Sequence, residues 1–584
     1  MQHCQKVIKN MDFLSIDFKY RRFYFPFVFT LIILAHLSAP AQTRTVGVLS
    51  MSADTSSGYT LFSPQLTTGT YLIDNFGRLI NSWSSDKNAG LSVYLLPDGS
   101  ILRCESLQNM SFNGGGTGGR IKRTSWDGET IWTYDYSNTS HCQHHDCEYL
   151  PNGNVLIIAW EVKSQSEASA AGRSTSRGLW TDRIIEVRPS GLSGGTIVWE
   201  WHGWDHLIQD NDANKDNYGV VAEHPELVDV NYEGGIMAST GDLMHANAVD
   251  YNEKFDQILL SVNSFNEVWI IDHSTTTAEA ASHSGGKYGK GGDLLYRFGN
   301  PEAYKSGSSS DCVLQGQHDA HWIPDGRPGA GNILVFNNGA SSRIGSSVDE
   351  FSLPIDGSGN YDMDETPKKV WSYTSSGLYA TLLSSAQRMA NSNTLICHGP
   401  KGTFFEIDSD KNSVWEYINP VTNTGIKKQG TKISGGGGIG MQANECFRAY
   451  RYGPDYPAFK GKDITPSASP LEGGDLVTVK PGKTTTVLSS GGVCVLGGFS
   501  LSSYTNPSNP TSTAAITITI PQNTDVAVKI NNANGQEIAM LVNQYLSAGK
   551  YSYTWSANGF ARGIYFVRLV TKDYVTANRI ILLQ

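Results

Sequence analysis

The stretch LPDGSILRC, from Leu96, and its near copy LPNGNVLII, from Leu150, decide the fold of this chain. Each joins a tight turn to a short apolar strand, and the pattern returns as DYNEKFDQILLSV, IPDGRPGAGNILVF and MANSNTLIC, from Asp250, Ile323 and Met389. Asp-Gly and Asn-Gly turns between alternating strands are typical of antiparallel hairpins. A repeat of this kind predicts one large domain built from similar β units.

Each turn unit is followed by a strand that centres on Trp or Tyr. These strands read ETIWTYDY, GTIVWEWHG, GDLLYRFGNP, KKVWSYTSS and NSVWEYINP, from Glu129, Gly195, Gly292, Lys368 and Asn412. A sixth unit forms if FRAYRYGPDYP, near Phe447, pairs with TYLIDNFGRLINSW, which ends at Trp83. Joining the two ends of the region in one sheet closes a ring and removes exposed sheet edges. We therefore predict a six-bladed β-propeller over residues 42–465, with seven blades as the alternative count.

The composition changes after Lys462 to Thr, Ser, Pro and Gly, which predicts a linker over residues 466–504. Residues 505–584 return to alternating strands with an Asn-Gly turn and predict a small immunoglobulin-like β-sandwich. The predicted fold class is therefore all-β, a six-bladed β-propeller followed by this sandwich.

Composition and charge exclude several classes of protein. The 584 residues carry a formal net charge of −10, with 17% charged and 39% hydrophobic residues, which excludes a disordered chain, a coiled coil and a polytopic membrane protein. Residues 1–41 predict a signal peptide, with Arg21 and Arg22 before an apolar run, and a membrane anchor is the alternative. Removal of its five basic and two acidic residues takes the net charge to −13, which argues against a nucleic acid as partner.

Three histidines share one position in the repeat. His145, His245 and His318 each lie six residues before the second residue of a repeat turn, and Leu91 and Ser384 take this position in the other two units. The innermost strand of every propeller blade begins beside the central channel. We therefore predict that the three imidazoles converge on one cavity.

Two other roles remain open for these imidazoles. They can tie their blades together by hydrogen bonds, or they can bind zinc with Cys142 and Cys147, the closest pair of cysteines in the sequence. The flanking His141, His144 and His321 are expected to point into the sheet or a loop.

These residues belong to motifs that resemble the bacterial aryl-sulfate sulfotransferase family over most of residues 60–455. The shared motifs are HHDCEYLPNGNVLI, VWEWHGWDHLIQD, HPELVDVNY, LMHANAVDYN, VWIIDHSTTT, GQHDAHWIPDG with NILVFNNG, and FRAYRYGPDYP. The resemblance implies a six-bladed propeller that moves a sulfuryl group from a phenolic sulfate ester to another phenol. It also implies that this reaction uses neither a nucleotide sulfate donor nor a metal or soluble cofactor.

The resemblance implies a role for each matching residue. The nucleophile is the His of the QH motif, His318, and the other catalytic histidines are His145 and His245, with Asn247 as a donor to a sulfuryl oxygen. A neutral imidazole is nucleophilic near pH 7 and leaves readily from an N-sulfate. A protonated imidazole at His245 or His145 can give a proton to the departing phenolate, whose conjugate acid has a pKa of about 10.

One position departs from the family pattern. The family carries an Arg on the strand after H-x-N to hold the sulfate, and the best alignment places Asn263 there. Asn keeps a hydrogen-bond donor but has neither the charge nor the bidentate fork of Arg. Arg343 or Arg388 is the candidate for a replacement cation. The alternative functions are a non-catalytic propeller that binds an anionic or aromatic ligand at the cell surface, and a zinc hydrolase.

Two further patterns concern export and calcium. The segments NPSNPTSTAAITITIP, NGQEIAMLVNQYLSAGKYSYTW and GIYFVRL resemble the C-terminal sorting domains of type IX secretion substrates. This resemblance implies a secreted or cell-surface protein whose partner is the type IX secretion machinery. DNDANKD, from Asp210, begins like a calcium loop, but Lys215 and Val221 stand where such a loop has Gly and Glu, so the calcium prediction is weak.

Overall fold

The computed structural model describes residues 44–582 apart from 113, 176, 235–240, 340–344, 437–440, 481–499, 506–512, 521–522, 534–535, 548, 557–559, 561–562 and 572–574. The predicted signal peptide, Arg343 and residues 481–499 of the predicted linker lie outside the described residues. The described backbone is mostly β-strand, which confirms the all-β prediction. None of the helices in this described part of the chain is long and apolar enough to span a membrane.

The strands before the C-terminal region are β1 (Gly47–Ser52), β2 (Tyr59–Pro64), β3 (Gly69–Asp74), β4 (Leu79–Ser84), β5 (Ala89–Leu95), β6 (Ile101–Ser106), β7 (Gly119–Thr124), β8 (Thr130–Asp135), β9 (His141–Tyr149), β10 (Val155–Lys163), β11 (Leu179–Pro189), β12 (Gly195–His202), β13 (Leu207–Ile208), β14 (Val228–Asp229), β15 (Ala246–Asn252), β16 (Gln257–Val262), β17 (Glu267–Asp272), β18 (Tyr296–Phe298), β19 (His318–Trp322), β20 (Ile333–Asn337), β21 (Ser347–Ser352), β22 (Lys368–Tyr373), β23 (Ser385–Arg388), β24 (Thr394–His398), β25 (Thr403–Ile407), β26 (Ser413–Ile418), β27 (Val421–Thr422), β28 (Gly425–Ile426), β29 (Cys446–Tyr452) and β30 (Val479–Lys480).

Six four-stranded antiparallel sheets form most of this region. Four of them use consecutive strands, β5 to β8, β9 to β12, β15 to β18 and β19 to β22. A fifth contains β23 to β26 and is extended by β1 and β30. The sixth has the order β29-β2-β3-β4, in which Tyr59 pairs with Tyr452, so the two ends of the region meet in one sheet as the sequence predicts.

The first strands of the six sheets contact one another in a closed series, β5, β9, β15, β19, β23, β29 and again β5. They enclose a cavity of about 160 Å³. Each strand contributes at least one polar side chain to the lining, among them Tyr94, Glu148, Asp250, His321, Gln387 and Tyr450. The repeat predicts that corresponding positions of the first strands lie around one channel, and all six first strands line this cavity.

The Trp residues of the repeat link neighbouring sheets. In four sheets a Trp on the fourth strand of the repeat unit donates its indole N–H to a backbone carbonyl in the segment before the fourth strand of the next sheet, at 2.7 or 2.8 Å. These bonds join Trp83 to Ser125, Trp132 to Gly194, Trp201 to Gly292 and Trp415 to Asn75. A buried indole N–H needs a hydrogen-bond acceptor, and a backbone carbonyl before the fourth strand of the next sheet supplies it in each of these four sheets.

Two short helices lie in insertions between strands, α1 (Gln165–Ala170) and α2 (Thr277–Ala280). Both begin with a capping box, in which Ser164 bonds reciprocally with Glu167 and Thr276 with Glu279. This arrangement satisfies backbone donors that a helix of one turn otherwise leaves exposed. Turns of 3-10 helix occur at Gly203–His206, Val221–Glu223, Asn263–Phe265, Pro301–Tyr304, Ser309–Asp311, Gly399–Lys401 and Pro457–Phe459.

The beginning of the predicted linker packs against the sheets. Ser467 and Leu471 donate their backbone N–H groups to the carbonyls of Leu79 and Gly77, each at 2.8 Å, and β30 pairs in parallel with β1. A composition rich in Thr, Ser and Pro therefore does not keep residues 466–480 apart from the sheets.

The described residues of the C-terminal region form seven strands in two sheets. The strands are β31 (Ser500–Thr505), β32 (Thr513–Ile520), β33 (Thr524–Asn532), β34 (Glu537–Leu546), β35 (Gly549–Ser556), β36 (Gly563–Val570) and β37 (Val575–Leu582). The sheet orders are β31-β32-β35 and β34-β33-β36-β37. Their alternating apolar residues, among them Ile518, Val528 and Val567, form one buried cluster. The first strand begins at Ser500, before the predicted boundary at 505.

Candidate functional site

The structure brings His145, His245 and His318 together at one end of the channel. The rings of His145 and His245 are 4.7 Å apart between centroids and nearly perpendicular, at 82°. The ring of Phe447 lies 6.0 Å from that of His145 and 6.3 Å from that of His318. All three histidines are buried, with at most 7% of their surface exposed. The predicted repeat position thus corresponds to a common site.

Irregular backbone at the start of the inner strands directs these side chains. The pairing register shifts between Gln143 and Cys147 in β9, between Ala246 and Ala248 in β15 and between His318 and His321 in β19, so each shift includes or directly follows the histidine. His145 and His245 have φ of 53° and 52°, Asp319 has 57°, and the equivalent Leu91 and Ser384 have 100° and 88°. A left-handed conformation costs a non-Gly residue about 1–3 kcal/mol and persists only where the surrounding contacts impose it. Positive φ at this position, or one residue after it in β19, occurs in five of the six repeats and indicates a constraint of the site and not of one strand.

His318 is held as a neutral imidazole with its proton on Nδ1. Nδ1 lies 2.9 Å from Oδ1 of Asn338 and 3.1 Å from the carbonyl of Gly316. The Asn338 amide donates to the carbonyls of Ala380 and Leu383, both at 3.0 Å, so its oxygen must face the imidazole. The backbone N–H of Leu383 donates to Nε2 at 3.2 Å, which marks Nε2 as the nitrogen with the lone pair.

The environment of His318 keeps the ring uncharged. Burial lowers the pKa of His318 from 6.5 to about 4, and the nearby His245 also lowers it, while the hydrogen bond to Asn338 acts in the opposite direction. The imidazole therefore has an available lone pair at neutral pH.

His245 is paired with a buried carboxylate. Its Nδ1 lies 2.6 Å from Oδ2 of Asp242, and its backbone N–H donates to Oδ1 of the same residue at 3.2 Å. This geometry holds Nδ1–H on the carboxylate and leaves Nε2 to exchange a proton with a substrate.

His145 is oriented through its sequence neighbour. Nδ1 of His145 lies 2.8 Å from Nδ1 of His144, and Nε2 of His144 lies 3.1 Å from Oδ1 of Asp182. The His144 ring also stacks on Trp160 at 3.9 Å and 9°. Burial lowers the pKa of both histidines well below the usual value, so both are neutral. With Asp182 accepting from His144, His145 donates through Nδ1 and keeps a lone pair on Nε2.

The two predicted substrate-binding asparagines have structural hydrogen bonds. Asn247 and Asn263 both donate an amide N–H to the carbonyl of Gln317, at 2.8 and 3.1 Å. They fix the residue that precedes His318, because two donors on one carbonyl restrict its position. The amide of Asn247 has a second N–H, which is the one that a ligand can use.

Arg388 does not supply the missing cation, because it pairs with Glu350 at 2.7 Å and stacks on Trp371 at 4.5 Å. Arg343 lies outside the described residues.

A lysine contacts the first residue of the predicted calcium loop. Nζ of Lys305 lies 2.6 and 2.7 Å from the two carboxylate oxygens of Asp210.

Arg448 is a site residue that sequence reasoning missed. Its guanidinium lies 2.7 Å from Asp146, 2.9 Å from Asp319 and 2.6 Å from the hydroxyl of Tyr94, and it donates to the carbonyl of Asn247 at 3.1 Å. One side chain from β29 therefore ties four other inner strands together beside the histidines. The motif FRAYRYGPDYP contains this residue, but its role depends on partners from distant parts of the chain.

The alternative of zinc at the channel histidines gains no support from the geometry. Within the described ranges, His145, His245 and His318 are not a set whose ligand atoms meet within 4.8 Å. Cys142 and Cys147 are buried free thiols. The sulfur atom of Cys147 lies 3.7 Å from that of Cys104.

Comparison with known proteins gives two family matches. The family described as Arylsulfotransferase (ASST) matches residues 45–433, and the Secretion system C-terminal sorting domain matches residues 504–583. No curated protein sequence matches the chain.

Among solved structures the similarities are distant. A catalytically inactive virginiamycin B lyase from Staphylococcus aureus is 12% identical, with a TM-score of 0.30 over 66% of this chain and 92% of that chain. The calcium-binding protein regucalcin from Agrobacterium tumefaciens is 9% identical, with a TM-score of 0.26 over 60% of this chain and 85% of that one. PorZ, a surface component of the type IX secretion system of Porphyromonas gingivalis, is 11% identical, with a TM-score of 0.20 over 89% and 74%.

Proposed function

Since the chain belongs to the arylsulfotransferase family, we propose that it transfers a sulfuryl group from a phenolic sulfate ester to a phenolic acceptor through a sulfohistidine at His318. The observation that carries this proposal is the neutral imidazole of His318, with its proton held between Gly316 and Asn338 and its lone pair on Nε2. A nucleophile in this state needs no separate base to activate it.

The first half-reaction forms the sulfohistidine. The Nε2 lone pair of His318 bonds to sulfur as the bond between sulfur and the phenolic oxygen breaks. The departing oxygen takes a proton from Nε2 of His245, whose Nδ1–H stays on Asp242. The long 3.2 Å bond from Leu383 to Nε2 opens in this step, and the freed N–H then faces the sulfuryl oxygens.

The second half-reaction returns the enzyme to its starting state. The acceptor phenol gives its proton to His245 while its oxygen bonds to sulfur, and the sulfur–nitrogen bond breaks with its electron pair returning to His318. Protons and charges balance with these groups alone. We assign the second amide N–H of Asn247 to a sulfuryl oxygen and the His145 imidazole to the transferring proton.

Apolar residues beside the imidazoles support an aryl substrate. Leu91, Leu383 and Phe447 form a buried cluster with Leu382 and Met441 packed against it. An aromatic ring gains about 25 cal/mol for every Å² of apolar surface that it removes from water, so such a cluster favours phenolic over small hydrophilic esters.

The alternative is a propeller that binds an anionic or aromatic ligand without turnover. Asn263 favours this alternative, because it replaces the family Arg and donates one amide N–H to the carbonyl of Gln317. The two functions differ in whether a covalent sulfohistidine forms.

We also propose that the six sheets are the blades of a six-bladed propeller and that the C-terminal sheets form an immunoglobulin-like sandwich. The closed contact series of the inner strands supports the first statement. The sorting domain indicates export to the cell surface or the medium, and we propose that the predicted signal peptide, residues 1–41, directs the first step of that export.

The test uses a chromogenic aryl sulfate without an acceptor, followed by intact-mass and peptide-mass measurement. The expected result is a mass increase of one sulfuryl group on His318, which disappears when a phenol is added. His318→Ala should show neither the adduct nor turnover, whereas His141→Ala, a partly exposed histidine on the same strand as His145, should show both. Ligand binding without any adduct would support the non-catalytic alternative.

A further inference from the structure

A second cluster of ligating side chains lies apart from the channel histidines, where two insertions meet. His206 ends the 3-10 turn after β12, and His283 and Asp293 lie between β17 and β18. The side chains of His206 and Asp293 are buried, and that of His283 is 61% exposed. Each residue offers one ligand atom, and the three atoms lie within 4.8 Å of one another, the one such group in the part of the chain that the structure describes.

The hydrogen bonds of His206 leave a place for a proton or a metal ion between its Nδ1 and Asp293. Its Nε2 lies 2.8 Å from the carbonyl of Ala280, which only accepts hydrogen bonds, so Nε2 carries a proton. A neutral imidazole then presents the lone pair of Nδ1 to Oδ1 of Asp293, 2.8 Å away. Two acceptors at this distance repel each other unless a proton, on either group, or a metal ion lies between them.

The His206 ring is held in the orientation that a metal ligand needs. A metal-bound histidine usually donates its other ring N–H to a carboxylate or a backbone carbonyl, as His206 does to Ala280. The Trp201 ring lies parallel to it at 5.7 Å, and Trp201 donates to the carbonyl of Gly292 at 2.7 Å. A Cβ at Gly292 would lie 2.5 Å from Nε2 of His206, so this close contact requires glycine.

The third ligand comes from the surface. Nδ1 of His283 lies 2.7 Å from the same oxygen of Asp293, and its ring is 5.8 Å from that of His206 at 88°. The carboxylate oxygen therefore faces two imidazole nitrogens from different segments. This arrangement differs from a surface ion pair, because two of the three groups are buried and His206 is fixed by its further bond to Ala280.

We propose that His206, His283 and Asp293 bind one Zn²⁺ ion, with water as the fourth ligand. Two imidazole nitrogens and a carboxylate oxygen form a donor set that zinc prefers. Tetrahedral zinc with bonds of about 2.0–2.1 Å separates its ligand atoms by about 3.4 Å. The 2.7 and 2.8 Å distances must therefore open by about 0.6 Å. The exposed side chain of His283 can move away from Asp293, and a rotation of the Asp293 carboxylate must open its distance to His206. The ion joins the segment after β12 to the segment before β18.

The test titrates the chelator-stripped full chain with Zn²⁺ by calorimetry and follows Co²⁺ by its absorption as a probe of tetrahedral coordination. One equivalent should bind and raise the Tm. His283→Ala removes the exposed ligand and should weaken zinc binding by at least about tenfold and abolish the rise in Tm. His224→Ala is the matched control, because it removes an exposed histidine that faces a single carboxylate, Glu226, at 2.9 Å.

His318→Ala separates this site from zinc at the channel histidines. Binding that is lost in His283→Ala and retained in His318→Ala and His224→Ala supports the proposal. Binding that is retained in His283→Ala, or no stoichiometric binding by the unsubstituted chain, overturns it and leaves a proton as the cation beside Asp293.

Discussion

Replacement of Asn338 by Ala tests how the protein positions its proposed nucleophile. The substitution removes the Oδ1 acceptor that lies 2.9 Å from Nδ1 of His318 and leaves the Gly316 carbonyl at 3.1 Å. Asn338 touches neither the lone pair of His318 nor the substrate side of the ring. Its effect on turnover therefore acts through the orientation and charge of His318 and through Leu383, whose carbonyl accepts from the Asn338 amide.

The magnitude follows from the change in charge during the reaction. A hydrogen bond between neutral groups contributes about 1 kcal/mol, and one from a charged group contributes about 1.5–3 kcal/mol. The His318 ring becomes cationic as it takes the sulfuryl group, so Asn338→Ala should destabilise the transition state by about 1–2 kcal/mol more than the ground state. This difference corresponds to a decrease in kcat of about 5- to 30-fold.

The assay measures phenolate release in a single turnover from pH 4 to pH 9, together with the Tm of each variant. Asn338→Asp keeps the acceptor and adds a negative charge, so it should raise the pKa of His318 from about 4 and move the acidic limb of the rate profile to higher pH. Asn393→Ala is the control, because Asn393 is also buried. It lies in the turn between β23 and β24 and donates to the carbonyl of Asp54 at 2.9 Å. It should lower stability without lowering kcat.

Two results would refute this reasoning. A kcat for Asn338→Ala within twofold of the unsubstituted enzyme would mean that Asn338 does not support the cationic ring. An unchanged rate profile in Asn338→Asp, with the variant folded, would mean that the carboxylate does not act on His318.

Three further predictions follow from the same structure. The pKa of His318 is about 4 in the folded protein and 6.5 in the unfolded chain, so the unfolded chain binds more protons below neutral pH. His318 alone should therefore lower the free energy of unfolding by about 2 kcal/mol between pH 7 and pH 5. In urea unfolding, His318→Gln should lose less stability between these pH values than the unsubstituted protein by this amount, and equal losses would contradict the prediction. Asn263→Arg should lower KM for the aryl sulfate about tenfold, because a charge-assisted contact contributes about 1.5–3 kcal/mol, and a higher KM would contradict this. The hydrogen bond with Cys104 and burial raise the pKa of the Cys147 thiol, so a thiol reagent should label Cys147 only after unfolding, and rapid labelling of the native protein would be the contrary result.

The sequence by itself determined the repeat, its turns and the register of the three histidines. Asp-Gly and Asn-Gly turns and two-residue alternation are local properties, and the same short pattern returns in each unit. The joining of the two ends of the region in one sheet was also predictable, because an incomplete unit at each end of a repeat has only the other end to complete it.

Only the tertiary structure decided what each side chain does in the site. Asn338 orients His318, and Asn247 and Asn263 bond to Gln317, where the sequence predicts contacts with sulfate. The cluster of His206, His283 and Asp293 likewise joins segments with no common motif. Hydrogen-bond partners depend on which distant segments pack together and on the rotamer of each side chain, and neither follows from local periodicity.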